Sequence, residues 1–150
     1  MKTAKKDFSY IISVSIGTGC YRHIKIAPTA TLFELHEAII DAFEFFDNHA
    51  HAFFMDNKVW SDGESYYSDM IEDEDRYTSE YSLEQVGLDV DKKFKYIFDF
   101  GEEWRFQCKV LKVLDEQTEF PEIVRSKGEA PLQYGYDMDE FEDEEPDQDE

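Results

Sequence analysis

The feature that most constrains the fold is the stretch from residue 93 to 114, where apolar and polar residues alternate in two runs. Alternation of this kind is typical of strands with one buried face, because successive side chains of a strand point to opposite sides of the sheet. The break between the runs carries Asp99 and Gly101, residue types that favour tight turns. The pattern predicts two strands, residues 93–100 and 104–114, joined as a hairpin.

Residues 8–16 and 20–26 alternate in the same way around a Gly-Thr-Gly turn, which predicts a second hairpin. A helix is predicted next, because Thr31 and Glu34 have the spacing of a capping box. Five apolar residues then recur at helical spacing and form one face: Leu32, Leu35, Ile39, Ala42 and Phe43. The helix is predicted to end near residues 46–48.

The middle of the chain gives weaker patterns. Residues 50–60 are strand-like around a turn at 56–57, and residues 61–80 are polar and acidic, which predicts a loop or a weak edge strand. A short second helix is predicted over residues 82–86, because Ser82 and Gln85 have capping-box spacing and Gly87 follows. From Phe120 onward the pattern predicts irregular structure.

This order of elements predicts an α+β fold: a mainly antiparallel sheet with one principal helix and a short second helix, in an arrangement like the β-grasp. Residues 1–136 are expected to form a single domain. Residues 137–150 are expected to form a disordered acidic tail, because they hold ten carboxylates and no Lys or Arg.

The net negative charge of the chain limits the kinds of partner that are expected. The formal net charge is −21, and without residues 137–150 there remain 26 acidic against 15 basic residues. An acidic body argues against direct nucleic-acid binding, because phosphate neutralisation requires clustered Lys and Arg. No signal peptide or membrane-length apolar run is evident, and the two cysteines are interpreted as free thiols, so a cytoplasmic protein is expected.

Several blocks of the sequence point to one family. They are residues 10–16, Tyr21–Ile26, the Thr31-Leu32-x-x-Leu35-His36-x-x-Ile39 segment, His51-Ala52-Phe53 and the signature Tyr96-x-Phe98-Asp99-Phe100-Gly101-x-x-Trp104. Over residues 8–134 the chain resembles the plasmid pRiA4b ORF-3-like family, also labelled as an insertion-element passenger protein.

The resemblance implies a small α+β domain from a bacterial or mobile-element context, with no settled enzyme activity and no cofactor. Many relatives have Asp and His where this chain has Glu102 and Phe106, and many have a Cys-containing segment near the end. If those His and Cys residues bind a metal in relatives, the resemblance implies that this chain has lost that option.

Three histidines are the weak metal candidates: His36, His49 and His51. His49 and His51 are alternate residues that would share a sheet face, and His36 or Cys108 could complete a three-ligand site. The alternative hypothesis built on them is a metal-dependent hydrolase or a nucleic-acid-processing accessory. Ordinary sheet-face histidines are the competing interpretation.

The leading hypothesis is a non-enzymatic interaction module that binds a basic protein through an acidic aromatic surface. The candidate residues are Trp60, Tyr66, Tyr67, Glu72, Asp73, Glu74 and Asp75. Aromatic residues rimmed by carboxylates can form a protein-binding patch. The same aromatics could instead anchor the acidic loop to the domain.

Overall fold

The alternating runs of the sequence form strands of one antiparallel sheet in the computed structural model, which describes residues 7–133. The elements in chain order are β1 (Ser9–Ser15), β2 (Tyr21–Ile26), α1 (Leu32–Ala42), β3 (His51–Phe54), β4 (Ser65–Tyr67), a 3-10 turn (Thr78–Glu80), β5 (Lys93–Phe98), β6 (Trp104–Leu114) and β7 (Glu122–Lys127). Across the sheet the strands follow the order β4-β3-β5-β6-β1-β2-β7. The predicted mainly antiparallel α+β fold is confirmed in this coarse form.

The sheet has an inner face that packs on α1 and an outer face that turns away from it. Ile12, Ile24 and Val110 lie side by side on the inner face and are fully buried. α1 adds Leu35 and Ile39, which are also fully buried. Burial of apolar side chains between these two layers is the main stabilising contribution to the fold.

α1 begins with the predicted capping box. The Glu34 N–H donates to Thr31 Oγ1 at 3.1 Å, and the Thr31 N–H donates to Glu34 Oε1 at 2.8 Å. The helix ends at Ala42, earlier than predicted, because Glu44 has a φ of 62° and Phe45 turns back to donate to the Ile40 carbonyl. The apolar residues Phe43 and Phe45 then enter the core instead of extending the helix.

The predicted second helix at residues 82–86 is wrong, although its capping contacts form. The Gln85 N–H donates to Ser82 Oγ, and the Ser82 N–H donates to Gln85 Oε1. The segment makes one turn only, because Leu83 donates to the Ala30 carbonyl and Gly87 adopts a φ of 82°. Within residues 7–133 the remaining helical element is the 3-10 turn at Thr78–Glu80.

The predicted irregular segment after Phe120 is also wrong, because it contains β7, which pairs with β2. Arg22 of β2 links β7 to the end of α1. It donates to the Lys127 carbonyl of β7 at 3.0 Å and to the Ala42 carbonyl at the end of α1 at 3.1 Å. With β4 at the opposite edge the sheet has seven strands, more than predicted, and the β-grasp likeness is not confirmed.

Two β-bulges alter the register near one end of the sheet. Leu111 is the extra residue of β6, since Ile11 pairs with Lys112 and Ile12 with Val110. β7 has a corresponding shift between its pairings with His23 and Ile24. A bulge of one residue shifts the alternation of a strand by one position.

Within residues 7–133, no helix is long and apolar enough to span a membrane. The predicted acidic tail at 137–150 and the end of the predicted domain lie outside the described residues.

Candidate functional site

Two of the three candidate histidines meet in the core. His36 on α1 and His51 on β3 stack with ring centroids 3.6 Å apart and planes 11° apart, and both are buried. His36 Nδ1 lies 2.6 Å from Tyr96 Oη, and its Nε2 lies 3.0 Å from an Asp47 carboxylate oxygen. His51 Nε2 lies 2.9 Å from Thr78 Oγ1. The pair is therefore enclosed by hydrogen-bond partners.

Burial keeps this histidine pair neutral at ordinary pH. Burial lowers the pKa of His36, against the opposing effect of the Asp47 carboxylate. Burial, with a smaller contribution from His36, lowers the pKa of His51 from 6.5 to about 2. Two neutral rings can stack closely, whereas two charged rings at this distance would repel each other.

His49 does not join the stacked pair. Its Nε2 lies 3.4 Å from an Asp99 carboxylate oxygen, and its ring contacts the edge of Phe98. Both ring nitrogens of His36 already have protein partners. Among residues 7–133 no group of three or more His, Cys, Asp or Glu side chains could hold a metal ion, so the geometry gives the metal-dependent alternative no support.

The signature segment builds a hairpin and its core contacts. Tyr96 and Phe98 are fully buried on the inner face, and Trp104 packs edge-on against Phe45 at 5.1 Å. Asp99, with a φ of 67°, accepts hydrogen bonds at Oδ1 from the N–H groups of Gly101 and Glu102. These contacts give the signature a structural role, with Asp99 ordering the turn.

The acidic loop is anchored by its own aromatic residues. Phe100 contacts Trp60 at 4.9 Å and Tyr67 at 6.3 Å between ring centroids. Tyr66 packs edge-on against Tyr81, and the Arg76 guanidinium lies over the Tyr66 ring. Of the acidic residues at 72–75, Glu72, Asp73 and Asp75 are exposed and Glu74 is half-buried. Burial raises the pKa of Tyr67, and the Glu74 carboxylate raises it further. The aromatic rings of the loop thus pack mainly on one another, while most of the carboxylates at 72–75 are exposed.

A groove between α1 and β7 brings apolar residues and carboxylates together. We call it the α1–β7 groove; its volume is about 380 Å³. Its lining consists of five apolar residues and four carboxylates: Ile24, Ala38, Phe120, Pro121 and Ile123, and Glu34, Glu37, Asp41 and Glu122. Phe120 is 70% exposed and Ile123 is 49% exposed, so apolar surface here is open to a partner.

The acidic rim of the groove is a ridge along α1. Glu34, Glu37 and Asp41 are three and four residues apart, so their side chains are neighbours on the helix surface. The last turn of α1 has no basic residue, although cations are the favourable charge at a helix C-terminus. Partial burial raises the pKa of Glu37, and the nearby carboxylates of Asp47, Glu34 and Asp41 raise it further.

The sequence indicates only one wall of this groove. The helical spacing of its acidic residues on the predicted helix is visible in the sequence, but the segment that forms the opposite wall is predicted to be irregular. Phe120 and Ile123 acquire a place in the molecule only when β7 pairs with β2.

Comparison with known proteins supports the fold and the family. A crystal structure of a protein of unknown function from Methanosarcina mazei Go1 superposes with a TM-score of 0.67 and 21% sequence identity, over 81% of this chain and 71% of that one. Similarity at that identity shows a common fold. No curated protein matches the sequence at a significant level. The model of the plasmid pRiA4b ORF-3-like protein family matches residues 13–143, and the chain belongs to that family.

Proposed function

We propose that this protein is a non-enzymatic binding module that holds a basic, amphipathic segment of a partner protein in the α1–β7 groove. The observation that carries the proposal is the lining of the groove, which joins exposed apolar residues to four carboxylates and includes no Lys or Arg. A segment with apolar residues on one side and Lys or Arg beside them matches both parts of that lining.

The apolar floor supplies most of the affinity. Covering an exposed side chain such as Phe120 or Ile123 with a partner removes apolar area from water. Full burial of one such side chain is worth about 1.5–3 kcal/mol. Large exposed aromatic residues of this kind are frequent anchor points in protein interfaces.

The acidic ridge selects the sign of the partner's charge. Like charges three or four residues apart on a helix destabilise it by about 0.2–0.5 kcal/mol per pair. A Lys or Arg placed between Glu37 and Asp41 would replace that repulsion with attraction. Burial is the largest cause of the raised pKa of Glu37, and the neighbouring carboxylates add to it. A partner segment of neutral or acidic composition would meet the repulsion unrelieved.

The α1–β7 groove is an acidic aromatic surface in a different place from the one that the sequence indicated. At residues 60–75 the aromatic rings pack on each other and on Phe54, so few are free to contact a partner. In the groove, Phe120 is exposed beside carboxylates. A charge change on the loop surface can therefore serve as the matched control for a charge change in the groove.

The test is the binding of a fluorescent Lys/Leu peptide with leucines at helical spacing, measured by anisotropy, beside a Glu/Leu peptide of the same pattern. We expect Glu37→Lys and Phe120→Ser each to weaken binding of the Lys/Leu peptide by roughly tenfold, which corresponds to about 1.4 kcal/mol. The control Glu72→Lys makes the same charge change on the exposed loop and should alter affinity less than about twofold, as expected for a distant charge under screening.

Equal losses from Glu37→Lys and Glu72→Lys would show that net charge alone attracts the peptide, and would refute the groove. Equal affinity for the Glu/Leu peptide would refute the charge selection. Thermal unfolding of each variant confirms that the fold is retained.

A further inference from the structure

Most of the basic residues of this acidic protein lie on the outer face of the sheet. Of the 12 Lys and Arg residues between positions 7 and 133, eight occupy outer-face positions in the strand register. They are Lys25, Lys93, Lys95, Arg105, Lys109, Lys112, Arg125 and Lys127. The seven strands contain one carboxylate, Glu122.

The register places two of these cations, Lys93 and Lys109, directly opposite each other, and it places His23 opposite Arg125. Directly opposed like charges destabilise a sheet. Partial burial lowers the pKa of His23, and the positive charges of Arg125 and Lys112 lower it further. The outer face therefore has a concentrated positive field, which, in the described part of the chain, a strand carboxylate opposes only at Lys25, the partner of Glu122 in the register.

Loops neutralise only part of this face. Glu116 binds Lys25 at 2.6 Å, Glu103 binds Arg105 at 2.5 Å, and an Asp91 oxygen lies 3.8 Å from Lys109. The other five outer-face cations have no carboxylate within ion-pair distance among the described residues: Lys93, Lys95, Lys112, Arg125 and Lys127. Lys95 Nζ also donates to Gln107 Oε1, and the other four are available to an anionic ligand.

Two further features of the face suit a phosphate-bearing ligand with flat rings. A cavity of about 210 Å³ is lined by Lys95 and Arg105 together with Ser15, Gln107 and three less polar residues, and by no carboxylate. Beside it on the sheet, the rings of Tyr21 and His23 stack at 4.8 Å, and the Arg125 guanidinium lies 6.0 Å from the Tyr21 ring. The face thus places cations beside one stacked pair of half-buried rings.

We propose that the outer face binds single-stranded nucleic acid. Lys and Arg side chains neutralise the phosphates, and aromatic rings on a sheet, here the half-buried Tyr21 and His23, stack with unpaired bases. A duplex is the poorer ligand, because its bases are already stacked on one another and a flat sheet face does not enter a groove. This site lies on the opposite face of the sheet from α1 and stands independently of the peptide groove.

The net charge of the protein is compatible with such a site. The Debye length at physiological ionic strength is about 8 Å, and the whole sheet lies between the outer face and the acidic ridge of α1, which packs on the inner face. The acidic ridge of α1 is therefore largely screened from a ligand on the outer face. The overall negative charge opposes long-range attraction, so we expect slow association and affinity on the order of micromolar.

The test is fluorescence anisotropy of a labelled 20-nucleotide thymidine oligonucleotide with the full-length protein, over a range of salt concentrations. We expect the logarithm of the association constant to fall linearly with the logarithm of the salt concentration. The expected slope is about −2 to −4, as for three to five neutralised phosphates. Lys112→Glu and Arg125→Glu should each weaken binding by roughly fivefold or more, because each reverses one charge in the field.

Lys92→Glu is the matched control, since Lys92 is half-buried, precedes β5 and has no outer-face position in the register. Its affinity should stay within about twofold of the unaltered protein, because the change lies outside the face. An equal loss in this control, or the absence of any binding, would overturn the proposal. Equal affinity for a duplex of the same length would also overturn it. Equal affinity for a polyglutamate peptide would overturn it in favour of an acidic protein partner.

Discussion

The buried histidine pair predicts how the stability of the fold depends on pH. His51 is neutral in the folded state because its pKa is lowered from 6.5 to about 2, whereas in the unfolded chain it titrates normally. Below pH 6.5 the unfolded state therefore binds more protons than the folded state. By linkage, the free energy of unfolding falls as the pH falls through this range.

The size of the effect follows from the unfolded pKa. Between pH 7 and pH 5, His51 alone should lower the free energy of unfolding by about 2 kcal/mol, at 1.36 kcal/mol per pKa unit. This figure holds for any folded-state pKa well below 5, because the His51 ring then stays neutral throughout the range. His36 contributes in the same direction, since burial lowers its pKa as well.

The measurement is urea unfolding of the protein and of His51→Gln at pH 5, 6, 7 and 8. The His51→Gln variant should lose about 2 kcal/mol less between pH 7 and pH 5 than the unaltered protein does, because Gln does not titrate. Thr78→Val is the control: it removes the hydroxyl that contacts His51 Nε2 but keeps the titrating ring. Its stability should be lower at every pH with the steep pH dependence retained. The same pH dependence in His51→Gln and the unaltered protein would refute the reasoning.

Two substitutions test the backbone features of the fold by urea unfolding. Gly128→Ala should destabilise the protein by more than about 1 kcal/mol, because a left-handed backbone disfavours a side chain and the added Cβ would lie 2.5 Å from the Gly19 carbonyl oxygen. Amide exchange in β7 should become faster in this variant. Unchanged stability would contradict the close approach. Asp99→Ala should cost about 1–3 kcal/mol, because it removes the one oxygen that accepts from the N–H groups of Gly101 and Glu102 in a left-handed turn. Asp99→Asn should cost less, and equal losses would contradict the role of the Oδ1 acceptor.

Local signals were sufficient for the elements whose residues interact with near neighbours in the sequence. The Thr31–Glu34 capping box and the alternation along β6 each predicted a structure that is present. The capping signal at Ser82 and Gln85 was also real, but hydrogen bonds to residues 28–32 hold that segment in a single turn. Tertiary contacts outweighed the local preference there.

The candidate site depended on contacts that the sequence could not reveal. β7 is exposed at all six positions, so it lacks the apolar alternation by which a strand is recognised. Without β7, the groove had no second wall and Phe120 had no neighbours to suggest a role. The stacking of His36 on His51 likewise requires the packing of α1 on β3, which no local pattern specifies.

The two bulges have a consequence for comparing this chain with its relatives. Lys109 and Lys112 are three residues apart and would point to opposite sides of a regular strand, yet the extra residue Leu111 places both on one face. Loss of Leu111 in a relative would restore regular alternation and keep this lysine on the outer face, whereas one added residue in β1 opposite Leu111 would turn Lys112 toward the helix side. Two family members with the same charged residues could therefore present different electrostatic surfaces, and alignments that ignore the bulge would miss the difference.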